Sequence, residues 1–265
     1  MKLSSKALAC GQSPMRKFHP YAVAAAAAGK KIYHLNIGQP DIHTPDALYD
    51  AIHNFRTPVL AYAASPGIPE LISAIEGYYR NIGVQLSESD ILVTTGGSEA
   101  LQIAANCLLD DGDEVIVPTI SFVGAGNAVC AAGAKLVLTD VDPRTLNIRP
   151  EDILAHITPR TKAILLLHFG GIPCDMDPIM EIAREHHLTV IEDSACGIYS
   201  RYKGKPLGTI GDMGMWSFDA MKILVCADGS ALYFKDPAVR EKAAKWLYFG
   251  LESKSGYSNS VDKKW

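Results

Sequence analysis

The sequence lacks long apolar runs and blocks of like charge. No apolar segment approaches the roughly 20 residues that a membrane-spanning helix needs. The start, MKLSSKALACGQS, lacks the apolar core of a signal peptide. Lys and Arg number 25 against 29 Asp and Glu, which gives a formal net charge of -4, and the two signs are interspersed. We therefore expect neither nucleic-acid nor membrane partners.

Cysteine is present but forms no recognisable pattern. The six cysteines stand at positions 10, 107, 130, 174, 196 and 226, and none of them makes a C-x-x-C pair. This spacing matches neither a disulfide framework nor a zinc site, so we expect reduced thiols and a cytoplasmic location. His186 and His187 fall at the end of a predicted helix, where the dipole favours cations. We do not interpret them as metal ligands, and we expect no metal.

The apolar pattern predicts an α/β fold. Alanine-rich sequence from Ala22 to Ala28 predicts a helix that ends at Gly29, and PDALYDAIHNF and IPELISAIEGYYRNIG have helical spacing. From residue 91 onward, short apolar runs alternate with helical stretches; the runs are ILVTTG, EVIVP, KLVLTDV, KAILLLHF, LTVIEDSA, MGMWSF and SALYF. Continuous apolar strands between helices are typical of a mostly parallel sheet covered on both faces. The prediction is a three-layer domain.

The stretch VTTGGSEALQ predicts a strand that ends at Thr95, a turn at Gly96 and Gly97, and a helix that Ser98 opens. Unpaired N–H groups at a helix start, with the helix dipole behind them, bind phosphate. The alternative is an ordinary strand-to-helix turn with Ser98 as the N-cap residue.

The stretch LTVIEDSAC brings Glu192 and Asp193 to the end of a buried strand. Ligands of open parallel sheets bind beyond the carboxyl ends of the strands. Because successive side chains on a strand point to opposite faces, we expect only one of the two acids to face a site. The alternative is a solvated acid at a strand end. His168 also ends a predicted strand, where a structural role and a ligand contact are both open.

Two further stretches carry side chains that can bind or react with a cofactor. In WSFDAMKIL, Lys222 lies among apolar residues five positions after Ser217. A desolvated lysine has a lowered pKa and forms Schiff bases, whereas the alternative is a surface lysine whose stem lies along apolar residues. In PTISFVGAGNAV, Phe122 follows a strand end, where its ring can stack on a flat cofactor or pack in the core. A phosphate cradle, an acid, a lysine and an aromatic ring together match pyridoxal phosphate.

On these residues the chain resembles the fold-type-I pyridoxal-phosphate aminotransferases. Up to about DEVIVP it is similar to the aspartate aminotransferase branch, in SPMRKFHPYA, YHLNIGQPDIHTP, LAYAASPGIPEL and DILVTTGGSEALQ. From Thr119 it is similar to the sugar aminotransferases of the DegT/DnrJ/EryC1 family, in SFVGAGNAV, AGAKLVLTDVDPRTLNI, ITPRTKAILLLHFGG, VIEDSA, YKGKPLGTIGDMGMWSF and MKI.

The resemblance implies a set of site residues. Lys222 forms the Schiff base and then moves the proton as general base and acid, while Asp193 pairs with the pyridinium nitrogen. The remaining contacts implied are the phosphate contacts Gly97, Ser98, Glu99 and Ser217, the stacking ring Phe122, Tyr62 toward a neighbouring subunit's phosphate, and Gly38 toward the substrate carboxylate.

The sequence also departs from both branches. Cys196 stands where the sugar family commonly has Gln or His, and the family's acid-Gly-Gly loop is Asp228, Gly229 and Ser230. The asparagine and arginine motifs of the aspartate branch are missing from the second half. The dehydratase members of the sugar branch carry histidine in place of the lysine, so Lys222 argues against that reaction.

The resemblance implies an organisation and an activity. We expect an N-terminal arm at 1–45, a cofactor-binding large domain at 46–250, and at 251–265 a truncated loop toward a missing small domain. The expected function is transfer of an amino group from an amino-acid donor, glutamate, to a keto-sugar nucleotide in a homodimer. The alternatives are an aspartate-type amino-acid transaminase and an inactive truncated cofactor-binding fragment.

Overall fold

The computed structural model describes residues 2–11, 16–34 and 42–247. The chain divides into two compact units between residues 41 and 42. Gly38 and residues 248–265 lie outside the described residues, so the expectations for Gly38 and for 251–265 stay predictions. No described helix combines the length and the hydropathy required to cross a membrane.

The described residues of the first unit form helices α1 (Ser5–Ala9) and α2 (His19–Ala27). Helix α2 ends as the sequence predicts, because Gly29 follows it with a φ of 78°, a left-handed conformation that favours glycine. Helix α1 was not predicted. Its N-cap is Ser4, whose hydroxyl accepts a hydrogen bond from the Ala7 N–H.

The second unit carries the remaining elements. Its helices are α3 (Asp46–Asn54), α4 (Pro69–Asn81), α5 (Gly97–Leu108), α6 (Val123–Ala131), α7 (Pro150–His156), α8 (Met176–Glu185) and α9 (Pro237–Trp246), with 3-10 turns at Glu88–Asp90 and Phe169–Gly171. Its strands are β1 (Ile91–Thr94), β2 (Glu114–Pro118), β3 (Lys135–Thr139), β4 (Thr161–Leu167), β5 (Thr189–Asp193), β6 (Arg201–Tyr202), β7 (Lys205–Pro206), β8 (Met213–Ser217) and β9 (Ser230–Phe234).

Seven strands form one sheet in the order β1-β9-β8-β5-β4-β2-β3. Strand β9 is antiparallel to both of its neighbours, and the other neighbouring strands are parallel. The mostly parallel sheet predicted from the sequence is therefore confirmed. The short ribbon of β6 and β7 was not predicted. Because β9 runs against the rest, its first residue lies at the same edge as the last residues of the parallel strands.

Helices cover both faces of this sheet. On one face α5, α6 and α9 pack over a cluster that includes Leu165, Ile191 and Leu232. On the other face α7 and α8 pack over a cluster that includes Ile164 and Val190. A third cluster joins α4 to β1 and β8, through Tyr79, Ile91 and Trp216 among others. The alternation of these residues along each strand fixes the face to which every strand-end side chain points.

Glu114 begins β2, at the sheet edge away from the strand ends that the sequence singled out. Its side chain is buried and accepts hydrogen bonds from Thr158 Oγ1 at 2.5 Å, Arg160 Nη2 at 2.7 Å and Lys135 Nζ at 3.0 Å. These bonds lower the pKa of Glu114 from 4.5 to about 2, and the bond from Thr158 has the largest effect. The charged carboxylate therefore ties β2, β3 and the start of β4 together.

Replacing Glu114 with glutamine is expected to lower the melting temperature by several degrees at pH 7. A lowered folded-state pKa contributes stability that is complete above the unfolded-state pKa and is lost as the pH falls toward 2. The difference between wild type and Glu114→Gln should therefore shrink between about pH 4.5 and pH 2. Thermal unfolding across this range tests it, with the exposed Glu185→Gln as control. A difference in melting temperature that does not change with pH would contradict the lowered pKa of Glu114.

Candidate functional site

The first turn of α5 differs slightly from its prediction. The helix begins at Gly97 with Gly96 as N-cap, so the prediction that Ser98 opens or caps the helix is wrong. Gly96 takes the cap position in an extended conformation, where a Cβ atom would lie 3.1 Å from Asp228 Oδ1. Glu99 holds the turn, since its Oε2 accepts from the Thr95 N–H at 2.7 Å and from the Thr95 hydroxyl at 2.8 Å.

The backbone N–H groups of this turn include one that is already hydrogen-bonded within the described residues and two that are not. The Glu99 N–H already donates to the Gly96 carbonyl oxygen at 3.0 Å. Among the described residues, the N–H groups of Gly97 and Ser98 have no protein acceptor. Unpaired N–H groups at the start of a twelve-residue helix, with its dipole behind them, favour an anion. The structure therefore offers two main-chain donors for a phosphate at this position.

Phe122 and Ser98 lie on either side of Gly124. A Cβ atom at Gly124 would come within 2.9 Å of the Phe122 ring and 3.2 Å of Ser98 Oγ. Phe122 occupies the N-cap position of α6, and its side chain is 61% exposed, so the alternative of core packing is wrong. The exposed ring stands beside the helix start that carries the unpaired donors.

Ser217 lies beneath the same helix start. It is the last residue of β8 and is buried. A Cβ atom at Gly97 would be 3.1 Å from Met215 Sδ and 3.5 Å from Ser217 Cβ. Glycine at position 97 thus lets α5 approach the end of β8 closely. The Ser217 hydroxyl is brought to the cradle formed by Gly97 and Ser98.

Glu192 and Asp193 point to opposite faces of the sheet, as the sequence predicts, and both are buried. The alternative of a solvated strand-end acid is therefore wrong. Glu192 shares the α8 face with Val190 and is fully used there. Its Oε2 accepts from His168 Nε2 and Gly208 N–H, both at 2.9 Å, and its Oε1 accepts from the N–H groups of Ile210 at 2.7 Å and Gly211 at 2.6 Å.

His168 is structural, and its role follows from its partners. The ring is fully buried, and its Nδ1 accepts from the Cys174 N–H at 3.1 Å. The proton must then lie on Nε2, which donates to Glu192. A ligand contact by His168 is not supported, because both ring nitrogens are occupied by protein groups.

Asp193 shares the α5 face with Ile191 and therefore points toward the cradle. Its side chain is 2% exposed, and Oδ1 accepts from the Ala195 N–H at 3.0 Å. Burial raises the pKa of Asp193, against the opposing effects of the Ala195 hydrogen bond and of the positive charge on Lys222. The carboxylate thus lacks a full counter-charge, which a protonated ring nitrogen would supply.

Lys222 lies in a turn after β8, where its N–H donates to the Asp219 carbonyl oxygen at 2.9 Å. Its side chain is only half-buried, and Ile223 and Leu224 are 73% and 40% exposed. The prediction of an apolar interior around Lys222 is therefore wrong, because the strand ends at Ser217 and the chain leaves the core. The described residues provide no hydrogen bond or ion pair to Lys222 Nζ, and its charge is close enough to act on Asp193.

Two further residues that the sequence singled out are Tyr62 and Cys196. Tyr62 is 88% exposed in the segment between α3 and α4. Cys196 is half-buried in the loop after β5. Sequence reasoning singled out Lys222, Asp193, Ser217, Gly97, Ser98 and Phe122, which the topology brings to one edge of the sheet. It missed the network of Glu192, whose partners are far apart in the chain.

The comparisons with known proteins agree with this arrangement. The DegT/DnrJ/EryC1/StrS aminotransferase family matches residues 81–262, which is more than half of the chain. The chain belongs to this family. The match begins upstream of Thr119, the point from which the sequence itself resembles the sugar branch.

Three similar proteins place the chain within the wider fold. A dTDP-4-dehydro-2,3,6-trideoxy-D-glucose 4-aminotransferase of Saccharopolyspora spinosa is 46% identical over 171 residues, which are 64% of this chain and 44% of that protein. The chain thus spans less than half of this relative. NtdA of Bacillus subtilis, solved with its cofactor PMP, is 29% identical with a TM-score of 0.67, over 83% of this chain and 47% of that one. A mutant aspartate aminotransferase of Thermus thermophilus is 25% identical with a TM-score of 0.75, over 93% and 68%.

The site residues fit the pyridoxal phosphate on which this family depends. The unpaired N–H groups of Gly97 and Ser98 suit its phosphate, and the buried Asp193 suits its ring nitrogen. Phe122 offers an exposed ring, and the Lys222 amine is available for bonding.

Replacing Asp193 with asparagine is expected to raise the melting temperature of the cofactor-free protein at pH 7. The raised pKa means that the charged carboxylate destabilises the folded state above that pKa, and that the cost disappears as the pH falls toward 3.8. The gain from Asp193→Asn should therefore shrink in acid. Asparagine keeps an acceptor for the Ala195 N–H.

Thermal unfolding between about pH 4 and pH 8 measures this difference. The matched control is Asp177→Asn, since Lys203 lowers the pKa of Asp177 and its loss should destabilise the protein or leave it unchanged. A lower melting temperature for Asp193→Asn at neutral pH would show that the carboxylate already has a sufficient partner in the empty site.

Proposed function

We propose that this protein is a pyridoxal-phosphate-dependent aminotransferase that moves an amino group from an amino-acid donor, glutamate, to a keto-sugar nucleotide. The observation that carries the proposal is the buried Asp193 carboxylate, which faces the α5 cradle within electrostatic reach of Lys222. Family membership and the sugar aminotransferases among its relatives support the same reaction class.

Each site residue has a distinct task in this proposal. When bound, pyridoxal phosphate supplies an aldehyde for the amine and a protonated ring that withdraws electrons from the carbon bearing the amino group. The Gly97 and Ser98 N–H groups, with the Ser98 and Ser217 hydroxyls, hold the phosphate end. Asp193 keeps the ring nitrogen protonated, because an opposite charge raises the pKa of a base. Phe122 covers the ring face.

Lys222 performs the proton chemistry. Its amine would hold the cofactor through the aldehyde and, when free, would remove and return the proton at the substrate carbon. Its position in a half-exposed turn supports this role, because the amine must move between bonded and free states. A lysine fixed by an ion pair would lack this freedom.

The acceptor class rests on the relatives. The Saccharopolyspora spinosa relative is named for a dTDP-bound dehydro sugar, and 171 residues of this chain align with it at 46% identity. We infer a nucleotide-linked keto sugar of the same class as the acceptor. The likeness to aspartate aminotransferase over most of the chain favours an amino-acid transaminase as the second candidate. The missing asparagine and arginine motifs disfavour it.

We further propose a homodimer with the arm at 1–45 and the large domain at 46–250, acting in the cytoplasm. Large apolar side chains are exposed on α3 and in the segment that follows it, among them Tyr49, Ile52, Phe55, Val59, Leu60 and Tyr62. A contiguous stretch of exposed apolar residues is typical of a protein interface. Such an interface would carry Tyr62 to the phosphate of the other subunit.

Mixing the protein with pyridoxal phosphate is expected to produce a visible absorption band that survives desalting and decays when glutamate is added. Lys222→Ala should lack the band, because the covalent bond requires the amine. Lys203→Ala, which removes a surface lysine, should retain it. A folded wild-type protein without a band would reject the transaminase and leave the alternative of an inactive protein.

The acceptor is identified by turnover. Glutamate with a dTDP-4-keto-6-deoxy sugar should give an amino sugar nucleotide, detected by mass spectrometry, whereas aspartate with 2-oxoglutarate should give no turnover. The opposite result would favour the amino-acid transaminase.

The contribution of Tyr62 is tested by mixing subunits. Tyr62→Phe and Lys222→Ala subunits, refolded together, should recover tight cofactor binding at about half of the Lys222 sites if Tyr62 serves the other subunit. Recovery should be absent if Tyr62 acts within its own chain, and a monomer by light scattering would reject the homodimer.

A further inference from the structure

Three hydroxyl side chains form a row at the edge of the sheet beneath α5. Ser230 begins β9 and lies directly opposite Ser217 of β8 and Thr94 of β1. Directly opposed residues of antiparallel strands project to the same face. That face is the α5 face, since Met215 and Leu232, two residues along from Ser217 and Ser230, belong to the cluster that α5 covers. The row therefore lies under the phosphate cradle.

The three hydroxyls differ in what they contact. Thr94 Oγ1 donates to the Gly96 carbonyl oxygen at 3.1 Å, so its proton is used. Ser217 Oγ accepts from the Asp219 N–H at 3.4 Å. Ser230 is fully buried, and its Oγ has no hydrogen-bond partner among the residues that the structure describes. A buried hydroxyl without a partner costs stability, so an explanation for Ser230 is needed.

We propose that Ser230 is a positioning residue for the phosphate end of the cofactor, and that it acts through Ser217. The inference rests on the proposed function. The Cβ atoms of directly opposed residues are about 4.5–5.5 Å apart, so rotation about χ1 brings the two hydroxyl oxygens to hydrogen-bond distance. The Ser230 hydroxyl then donates to Ser217 Oγ.

This bond decides where the Ser217 proton points. A serine hydroxyl has one donor and two acceptor positions. The Asp219 N–H fills one acceptor position, and the Ser230 hydroxyl fills the other. The remaining group of Ser217 is its single O–H, which is left to donate to the phosphate. Accepting a hydrogen bond also strengthens a hydroxyl as a donor, because bonds in a chain polarise one another.

The experiment compares two ligands that differ only at the phosphate. Titrations with pyridoxal phosphate and with pyridoxal are followed by the visible band for wild type, Ser230→Ala, Ser217→Ala and the double variant. We expect Ser230→Ala to lower the affinity for pyridoxal phosphate about fivefold and to leave that for pyridoxal unchanged. Ser230→Thr, which keeps the hydroxyl, should restore the preference for pyridoxal phosphate over pyridoxal. The double variant should lose no more affinity for pyridoxal phosphate than Ser217→Ala alone.

Two controls separate positioning from packing. The melting temperature of cofactor-free Ser230→Ala should equal or exceed that of wild type, because an unpartnered buried hydroxyl is removed. Thr139→Val removes another buried, unpartnered hydroxyl, on β3 at the far side of the sheet, and should leave the ligand preference unchanged.

The outcomes are distinct. An unchanged preference in Ser230→Ala, an equal loss for both ligands, or losses that add in the double variant would each overturn the role of Ser230 through Ser217. A wild-type protein that binds pyridoxal phosphate no better than pyridoxal would instead overturn the phosphate cradle itself, and with it the proposed function.

Discussion

The site depends on the way in which β5 ends. Glu192 turns its carboxylate to the α8 face, where four hydrogen bonds from His168, Gly208, Ile210 and Gly211 hold it. A buried carboxylate with this number of donors is fixed in direction and well compensated. Since neighbouring strand residues point to opposite faces, fixing Glu192 also fixes Asp193 toward α5. The protein thus satisfies one acid fully and leaves the next with a single backbone donor.

Glu192 and Glu114 are buried acids with several hydrogen-bond donors, whereas Asp193 is a buried acid with one. This difference distinguishes acids that stabilise the fold from an acid suited to a ligand. Glu114 has three side-chain donors, and its lowered pKa shows that the fold stabilises its charge. Asp193 has one backbone donor, and burial raises its pKa. A fold selected for stability alone would pair or remove such a group. The free-energy cost of burying such a carboxylate is offset where a bound cation, such as a protonated ring nitrogen, supplies the missing charge.

The sequence predicted the strands and the facing of Asp193 because both depend on local alternation of apolar residues. It placed the α5 start one or two residues late, and the residue that approaches the Gly96 cap, Asp228, is distant in the chain. The Glu192 network was hidden for the same reason, as its partners come from residues 168 and 208–211. The burial of Lys222 was overestimated, because the apolar residues around it do not reveal that the chain has already left the sheet.

The exposure of the Lys222 turn is itself consistent with its chemistry. The segment from Phe218 to Gly229 is closed by hydrogen bonds from Phe218 N–H to the Gly229 carbonyl oxygen and from Cys226 N–H to the Phe218 carbonyl oxygen, both at 2.9 Å. Ala227 and Gly229 take positive φ values of 76° and 141° to bring the chain back to β9. The ends of the loop are thus fixed to the sheet, while the lysine between them is held by a single turn. That division places Ser217 and Ser230 below the cradle, at the ends of the sheet strands, and leaves Lys222 in a half-buried turn.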